Sequence, residues 1–161
     1  MWVNTPYSDV FDVFIRKLKN DTTFFQYRGL DEAEINEIVG EHLLSLLGRA
    51  IDKLYSYGLP DVDFYDRDDD FQTFNIELTK REIGLISDLM YLCYLEEDRN
   101  KLKAVGMRFR TSELNMLFSP ANDRRTFMQL LESIELNLEN SISNYFSRDR
   151  LTWEFKSIYG R

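Results

Sequence analysis

The chain has 161 residues, of which 43% are hydrophobic and 30% charged, and its formal net charge is −8 at pH 7. This length and apolar fraction predict one soluble globular domain with a buried core. One cysteine and one histidine exclude an internal disulfide framework and a Cys/His zinc site within one chain, and the acidic balance argues against general binding to nucleic-acid phosphates.

Two amphipathic helices are predicted in the first part of the chain. Apolar residues recur at helical spacing over about residues 9–18. A second helix begins after Asp31, because Glu34 stands three residues later and completes a capping box. It runs for about 25 residues, until Gly58 and Pro60 give a stop signal.

Almost the whole acidic excess lies between residues 31 and 78, which carry 13 acidic and three basic side chains. Its densest part lies within residues 59–73, which we interpret as a solvated loop kept open by charge repulsion. Asp66, Asp68, Asp70 and Glu77 match positions 1, 3, 5 and 12 of an EF-hand calcium loop, but Phe71 stands where that loop needs glycine. A solvated surface is therefore favoured over a calcium site.

A third helix is predicted to form the centre of the fold. It begins after Thr79, since Glu82 again completes a capping box, and Gly106 is its expected stop. It is apolar around most of its circumference, which is typical of a helix covered on several sides. Its longest apolar run, Leu89–Leu95, is far shorter than the roughly 18 residues of a membrane helix. The N-terminus also lacks a secretory profile, so we expect the protein to be made inside a cell.

A fourth helix is expected to open at Ser119-Pro120, because proline is favoured at the first helical position, and to reach about residue 146. A short helical turn over residues 112–117 precedes it. The predicted fold class is all-α, with four main helices forming a small bundle within residues 1–146. The apolar stripe of the last helix consists of Phe127, Leu130, Leu131, Ile134, Leu138, Ile142 and Tyr145.

The tail, residues 147–161, changes to the two-residue period of a strand. We predict an extended arm that adds as a β-strand to the sheet edge of a partner. The alternatives are that the tail folds back on its own helices or pairs with residues 71–76. The candidate partner-binding residues are Arg148, Arg150, Leu151, Trp153, Phe155, Ile158 and Tyr159, whose aromatic members are typical interface anchors.

No catalytic or cofactor-binding group is predicted. The sequence contains no Gly-rich phosphate loop. His42 has no triad or metal partner at local spacing, and Cys93 lies in the apolar run, where formation of a thiolate is disfavoured. We therefore expect no enzymatic activity and no cofactor.

One concentration of basic side chains flanks the start of the last helix. We interpret this region either as a solvated face or as a contact to the acidic loop of an identical neighbouring subunit. Its members are Arg108, Arg110, Arg124 and Arg125.

One pattern in the sequence spans the last two helices. It consists of Phe74-x-x-x-Leu78-Thr79-x-x-Glu82-Ile83 leading into Leu89-Met90, then Ser119-Pro-Ala-Asn122 at the start of a long helix that ends near Tyr145. This pattern resembles the head-tail connector proteins of tailed bacteriophages, the adaptor or head-completion subunits that form a ring beneath the portal. The resemblance covers about residues 30–146.

The resemblance implies a structural virion protein, assembled in the host cytoplasm and located in the neck. A helical domain would repeat around a ring, with twelve-fold symmetry expected, and join the portal protein to a downstream neck or tail protein. The C-terminal arm would reach the portal, and DNA would pass through the channel as transient cargo. An acidic lining lets a polyanion slide without sticking. The candidate residues for this lining, or for a subunit contact, are Asp61, Asp63, Asp66, Asp68, Asp69 and Asp70.

Three alternatives stay open. A stopper or tail-completion protein is one, because residues 1–30 do not match the pattern. A helical protein–protein interaction module with a regulatory role outside any virion is the second, since it would share every helix and differ in symmetry. A metal-dependent enzyme that uses the aspartate cluster is the third.

Overall fold

The computed structural model describes residues 4–18, 29–108 and 121–157, with the side chains of all of these except residues 98, 101–108 and 121–126. This part of the chain forms four α-helices and one small antiparallel sheet. The predicted helical character is confirmed, but the sheet corrects the expectation of an all-α fold. The elements are β1 (Thr5–Pro6), α1 (Tyr7–Lys17), α2 (Glu32–Tyr57), β2 (Arg67–Asp68), β3 (Thr73–Phe74), α3 (Lys80–Arg108) and α4 (Ala121–Ser147).

Both predicted capping boxes form. The Asp31 carboxylate accepts a hydrogen bond from the Glu34 amide at 2.9 Å, and the Glu34 carboxylate accepts one from the Asp31 amide at 3.0 Å. At the start of α3, Glu82 Oε2 accepts from the Thr79 amide at 2.7 Å, and Thr79 Oγ1 accepts from the Glu82 amide at 3.3 Å. These reciprocal bonds satisfy amide groups that the first helical turn leaves unpaired.

The other predicted helix boundaries are close to those observed, with two corrections. Helix α1 begins at Tyr7, two residues before the expected start, and it buries Tyr7, Val10 and Phe14 completely. Helix α3 does not stop at Gly106 but continues to Arg108. The start of the fourth helix at Ser119-Pro120 and the turn over residues 112–117 lie outside the described residues.

Helix α3 occupies the centre of the fold, as its apolar circumference predicts. It packs against α1, α2 and α4. Ile86, Leu89 and Met90 have no solvent-exposed surface at all. On α4 the predicted stripe is mostly correct, but Leu130 is 51% exposed and does not belong to it.

The sheet has the order β1-β3-β2, and both pairings are antiparallel. Thr5 and Arg67 both pair with Phe74, and the ring of Phe74 is completely buried. Residues 71–76 therefore supply the central strand of a sheet built from other segments. Within the described ranges they do not pair with the C-terminal tail, which rules out that alternative there.

The acidic segment, residues 59–73, is also more ordered than charge repulsion alone predicts. Phe64 is completely buried and packs edge-to-face on Phe74 at a ring-centroid distance of 6.4 Å. Burying this ring fixes the middle of the segment against the core, because each buried aromatic ring removes a large apolar surface from water. The aspartates on either side of Phe64 are then held close to specific partners.

None of the helices in the described ranges is both long and apolar enough to span a membrane.

Candidate functional site

The candidate site is the C-terminal arm, which we define as residues 148–157. It forms a compact turn instead of the predicted extended strand. Asp149 Oδ1 accepts hydrogen bonds from the amides of Leu151 and Thr152 at 2.9 and 2.8 Å, and the Asp149 carbonyl accepts one from the Trp153 amide at 2.9 Å. The only ladder contact of the described arm is one isolated antiparallel bridge between Arg148 and Phe155. Within the described residues the tail is not extended, because an aspartate side chain caps the turn. Its addition to a partner's sheet stays a prediction.

The amide hydrogen bonds also hold the charged form of Asp149. The pKa of this carboxyl lies below its ordinary value, chiefly because of the bonds from the Thr152 and Leu151 amides and from the Thr152 hydroxyl. A carboxylate that accepts several hydrogen bonds stays deprotonated to lower pH. The turn is therefore capped by an anion at neutral pH.

Arg150 fixes this turn to the first turn of α3. Its Nε donates to Glu82 Oε1 at 2.9 Å, and its Nη2 donates to Glu82 Oε2 at 2.8 Å and to the Glu77 carbonyl at 2.7 Å. The Tyr145 hydroxyl donates to Glu82 Oε1 at 3.0 Å. Glu82 thus joins α3, α4 and the arm through one carboxylate that is 0% exposed.

Burial by itself would raise the pKa of Glu82, because a dry environment disfavours the charged form. The hydrogen bonds from Arg150 and from Thr79 outweigh burial, and the pKa of Glu82 is lowered. Burial raises the pKa of the neighbouring Tyr145 hydroxyl, and the charge of Glu82 raises it further. Glu82 is therefore an anion matched by one cation, and Tyr145 stays a proton donor.

Two guanidinium groups lie close to the indole ring of Trp153. The Arg81 guanidinium lies 4.3 Å from the centre of the indole ring and that of Arg148 lies 5.6 Å from it, while Arg148 also covers the Phe155 ring at 3.8 Å. The φ angle of Trp153 is +63°, in the left-handed region that bulky residues rarely adopt. Backbone strain of this kind persists only where the surroundings impose it, and it is concentrated at functional sites.

Two large apolar side chains of the arm point into solvent. Leu151 is 71% exposed and Phe155 is 69% exposed. The arm that carries them is tied to the body a second time, since Lys156 Nζ donates to Asp61 Oδ1 at 2.6 Å. This arrangement offers two apolar side chains to a partner from a backbone that ion pairs hold in place.

Comparisons of the chain with protein-family models, with curated proteins and with solved structures found no match.

Tyrosine hydroxyls donate hydrogen bonds to two aspartates of the acidic segment. The Tyr7 hydroxyl donates to Asp69 Oδ1 at 2.6 Å, and the Tyr55 hydroxyl donates to Asp63 Oδ1 at 2.8 Å. Burial raises the pKa of Tyr7, and the bond to Asp69 adds to this effect. For the same two reasons, with Asp63 as the acceptor, the pKa of Tyr55 rises to about 12. The sequence shows these acids but not the hydroxyls that meet them.

Two further aspartates of the segment accept hydrogen bonds from nearby residues. Asp66 accepts from the Asn75 side chain at 2.9 Å, and Asp68 accepts from the amides of Asp70 and Phe71 at 3.0 and 3.1 Å. These bonds lie in and beside the hairpin that β2 and β3 form. Among the described residues, no group of three or more histidine, cysteine, aspartate or glutamate side chains could hold a metal ion.

His42 and Cys93 are held between α2 and α3. The Nε2 atom of His42 lies 3.0 Å from Glu97 Oε2, and Arg49 Nη1 lies 2.5 Å from Glu97 Oε1. Glu97 is 55 residues from His42, so local spacing could not reveal this contact. Burial raises the pKa of the Cys93 thiol, as its position in the apolar run predicts.

Several predicted site residues cannot be placed. Arg110, Ile158 and Tyr159 lie outside the described residues, and the side chains of Arg108, Arg124 and Arg125 are not described. The sequence also gave no hint that Glu82 does more than cap α3, because Arg150 is 68 residues away. One local signal for the turn did exist, namely an aspartate at 149 followed by threonine three residues later.

Proposed function

We propose that this protein is a structural subunit that performs no chemistry and joins two larger assemblies. Its context would be the neck of a tailed bacteriophage, as a head-tail adaptor assembled in the host cytoplasm. Copies of the chain would form a ring between the capsid portal and a downstream neck or tail protein. The C-terminal arm would bind the portal, and DNA would cross the ring as transient cargo.

The observation that carries the proposal is the exposure of Leu151 and Phe155 on a backbone that is already held in place. Exposed apolar side chains that are grouped together mark interaction sites more often than isolated ones do. Because Arg150 and Lys156 fix the arm before binding, a partner would not have to order this segment. Such preorganisation reduces the entropic cost of association.

The acidic segment supports a role beside DNA. Its aspartates are bonded to tyrosine hydroxyls, amides and a few cations, and Asp63, Asp66 and Asp70 remain on the protein surface. An acidic surface along a channel repels phosphates and prevents DNA from adhering. The same surface could instead meet a basic region of the neighbouring subunit, which makes it useful in a ring in either case.

The proposal is tested by mixing the purified protein with rings of a portal protein from the same phage, and by measuring the mass of the mixture by light scattering. We expect the wild type to form a large closed assembly with the portal. The double variant Leu151→Ser/Phe155→Ser should remain unbound. The matched control is Leu136→Ser, because Leu136 is 60% exposed on α4, away from the arm. It should bind as the wild type does.

Wild-type protein that ignores the portal, or an arm variant that binds it normally, would overturn the adaptor proposal. A compact monomer or dimer that ignores the portal would favour the helical interaction module.

A further inference from the structure

An open groove with a volume of about 560 Å³ lies between the end of α2 and the last turns of α4. The two helix ends are close, since a Cβ atom added to Gly58, directly after α2, would lie 3.4 Å from the Phe146 ring. Clefts of this volume are in the range that binds ligands. The described lining residues are Tyr57, Glu139, Ile142, Ser143, Phe146 and Ser147.

The walls of the groove are apolar and aromatic. Tyr57, on the α2 side, keeps 47% of its surface exposed, and Phe146 is half-buried on the α4 side. Ile142 lies between Glu139 and Phe146 on one face of α4, because residues three, four and seven positions apart share a side of a helix. This face measures about 10 Å from Glu139 to Phe146. The groove can therefore cover a long side chain with an apolar stem.

The charges around the groove are negative. Within the described part of the chain, Glu139 is the only charged residue of the lining, and no described cation pairs with it. The C-terminus of a helix carries about half a negative charge, and α2 and α4 both end at the groove, at Tyr57 and Ser147. Neither helix has a basic residue in its last turn, whereas α1 has Arg16 and Lys17 there. One carboxylate and two helix ends therefore favour a cation in the groove.

Three cations near the groove already have other contacts. Lys156 and Lys53 form ion pairs with Asp61 and Glu96, respectively. The guanidinium of Arg148, directly after α4, covers an aromatic ring of the arm at 3.8 Å. These cations do not neutralise the glutamate of the groove, which leaves it available to a cation from a partner.

We propose that the groove binds an arginine side chain of a partner protein, carried on a segment with apolar residues on either side. The guanidinium meets the Glu139 carboxylate, its methylene stem lies along Ile142, and the flanking apolar side chains pack on Tyr57 and Phe146. Arginine fits this site better than lysine, because its planar group can meet a carboxylate at two points and stack on an aromatic ring. The face of such a ring also attracts a cation directly. This inference does not depend on the adaptor function.

The first test compares two peptides that differ in one charge. Acetyl-Leu-Arg-Leu-amide carries the guanidinium, and its counterpart has citrulline, a neutral urea of the same shape, in the middle position. Each peptide is titrated into the isotope-labelled full chain, and binding is followed through the NMR shifts of the Ser143 and Ser147 amides in the groove. Site-resolved shifts are needed because the acidic segment also attracts cations.

We expect the arginine peptide to shift both amides at millimolar concentration and to bind about tenfold more tightly than the citrulline peptide, which lacks both the ion pair and the cation–ring contact. Equal binding of the two peptides, or no shift at these amides, would overturn the proposal. Acetyl-arginine-amide, without apolar flanks, should bind more weakly. If it binds as tightly as the longer peptide, the groove takes a free organic cation and not a protein segment, and the proposal is wrong.

The second test removes the negative charge of the groove. Glu139→Gln keeps the size of the side chain, so this variant should bind the two peptides equally. The matched control is Glu37→Gln, which changes the net charge by the same amount. Glu37 is also exposed but lies about 30 Å from Tyr57 along α2, so the control should keep the preference for arginine. A preference that survives Glu139→Gln, or one that is lost in Glu37→Gln, would contradict the contact with Glu139.

Discussion

Arg150 and Glu82 form a two-point ion pair that ties the C-terminal arm to the first turn of the central helix, with both contacts shorter than 3.0 Å. The Glu82 carboxylate is completely buried, while the Arg150 side chain keeps 19% of its surface exposed. A guanidinium that meets a carboxylate at two points fixes orientation as well as charge. The pair therefore determines where the turn from Asp149 to Trp153 lies.

Removal of Arg150 should destabilise the whole domain. Arg150→Ala leaves the Glu82 carboxylate buried without its cation, and breaking such a pair costs roughly 3 kcal/mol of unfolding free energy. Urea unfolding followed by circular dichroism measures the loss. Lys156→Ala is the matched control, because the Lys156–Asp61 pair is over 30% exposed on both sides and should be worth at most about 1 kcal/mol. Equal losses for the two variants would contradict the importance of the buried pair.

The Glu82 site should make stability depend on acid pH. The pKa of Glu82 is lower in the folded chain than in the unfolded one, where it is about 4.3. Its stabilisation is therefore complete above the unfolded value and is lost as the pH falls through the folded value. Between about pH 5 and pH 3, the wild type should lose more unfolding free energy than Glu82→Gln. The variant should nevertheless have the lower unfolding free energy at pH 5. Parallel pH curves from urea titrations would refute this expectation.

The sequence predicts the helix starts well because the responsible bonds are local. Asp31 and Glu34, like Thr79 and Glu82, are three residues apart, so the capping pattern is visible in the sequence and each helix begins at the next residue. The alternation of apolar residues in the tail was misleading, since Asp149 caps a turn within it. The position of that turn depends on a contact between residues 68 apart, which no local pattern encodes.

The strained turn gives a prediction at Trp153. Trp153→Ala and Trp153→Gly both remove the indole ring from its contacts with the two guanidinium groups, and they differ only in the Cβ atom. At a φ of +63° the Cβ atom is unfavourable by about 1 kcal/mol. The glycine variant should therefore be the more stable of the two by about that amount in urea unfolding. The opposite order, as at ordinary backbone positions, would show that the left-handed conformation does not persist in solution.

The hydrogen bond between Tyr7 and Asp69 should contribute to the unfolding free energy, although Asp69 belongs to the exposed acidic segment. Tyr7 is completely buried and its hydroxyl meets a carboxylate at 2.6 Å, and hydrogen bonds to charged groups contribute about 1.5 kcal/mol or more. Tyr7→Phe should lower the unfolding free energy by about this amount. Tyr65→Phe removes a similar bond to Asp52 on the exposed surface and should cost under about 0.5 kcal/mol. A Tyr7→Phe variant with an unchanged unfolding free energy would show that water replaces the hydrogen bond at no cost.

The tyrosines of these contacts should resist ionisation at alkaline pH. Burial and neighbouring carboxylates raise the pKa of Tyr7 and Tyr145 well above the ordinary value near 10, and raise that of Tyr55 to about 12. A raised folded-state pKa gives stability that is complete below the unfolded value and is lost as the pH rises through the folded value. Unfolding free energy should therefore fall above about pH 10.

Absorbance of tyrosinate near 295 nm measures the ionisation directly. At about pH 11 the folded protein should show about three fewer ionised tyrosines than the protein in urea, where all of them titrate near the ordinary value. Tyr145→Phe provides an internal control, because it removes a tyrosine that stays protonated in the folded state. The variant should show the same number of ionised tyrosines as the wild type when folded, and one fewer when unfolded. If the folded variant instead shows fewer ionised tyrosines than the folded wild type, Tyr145 does not donate a hydrogen bond to Glu82 in solution.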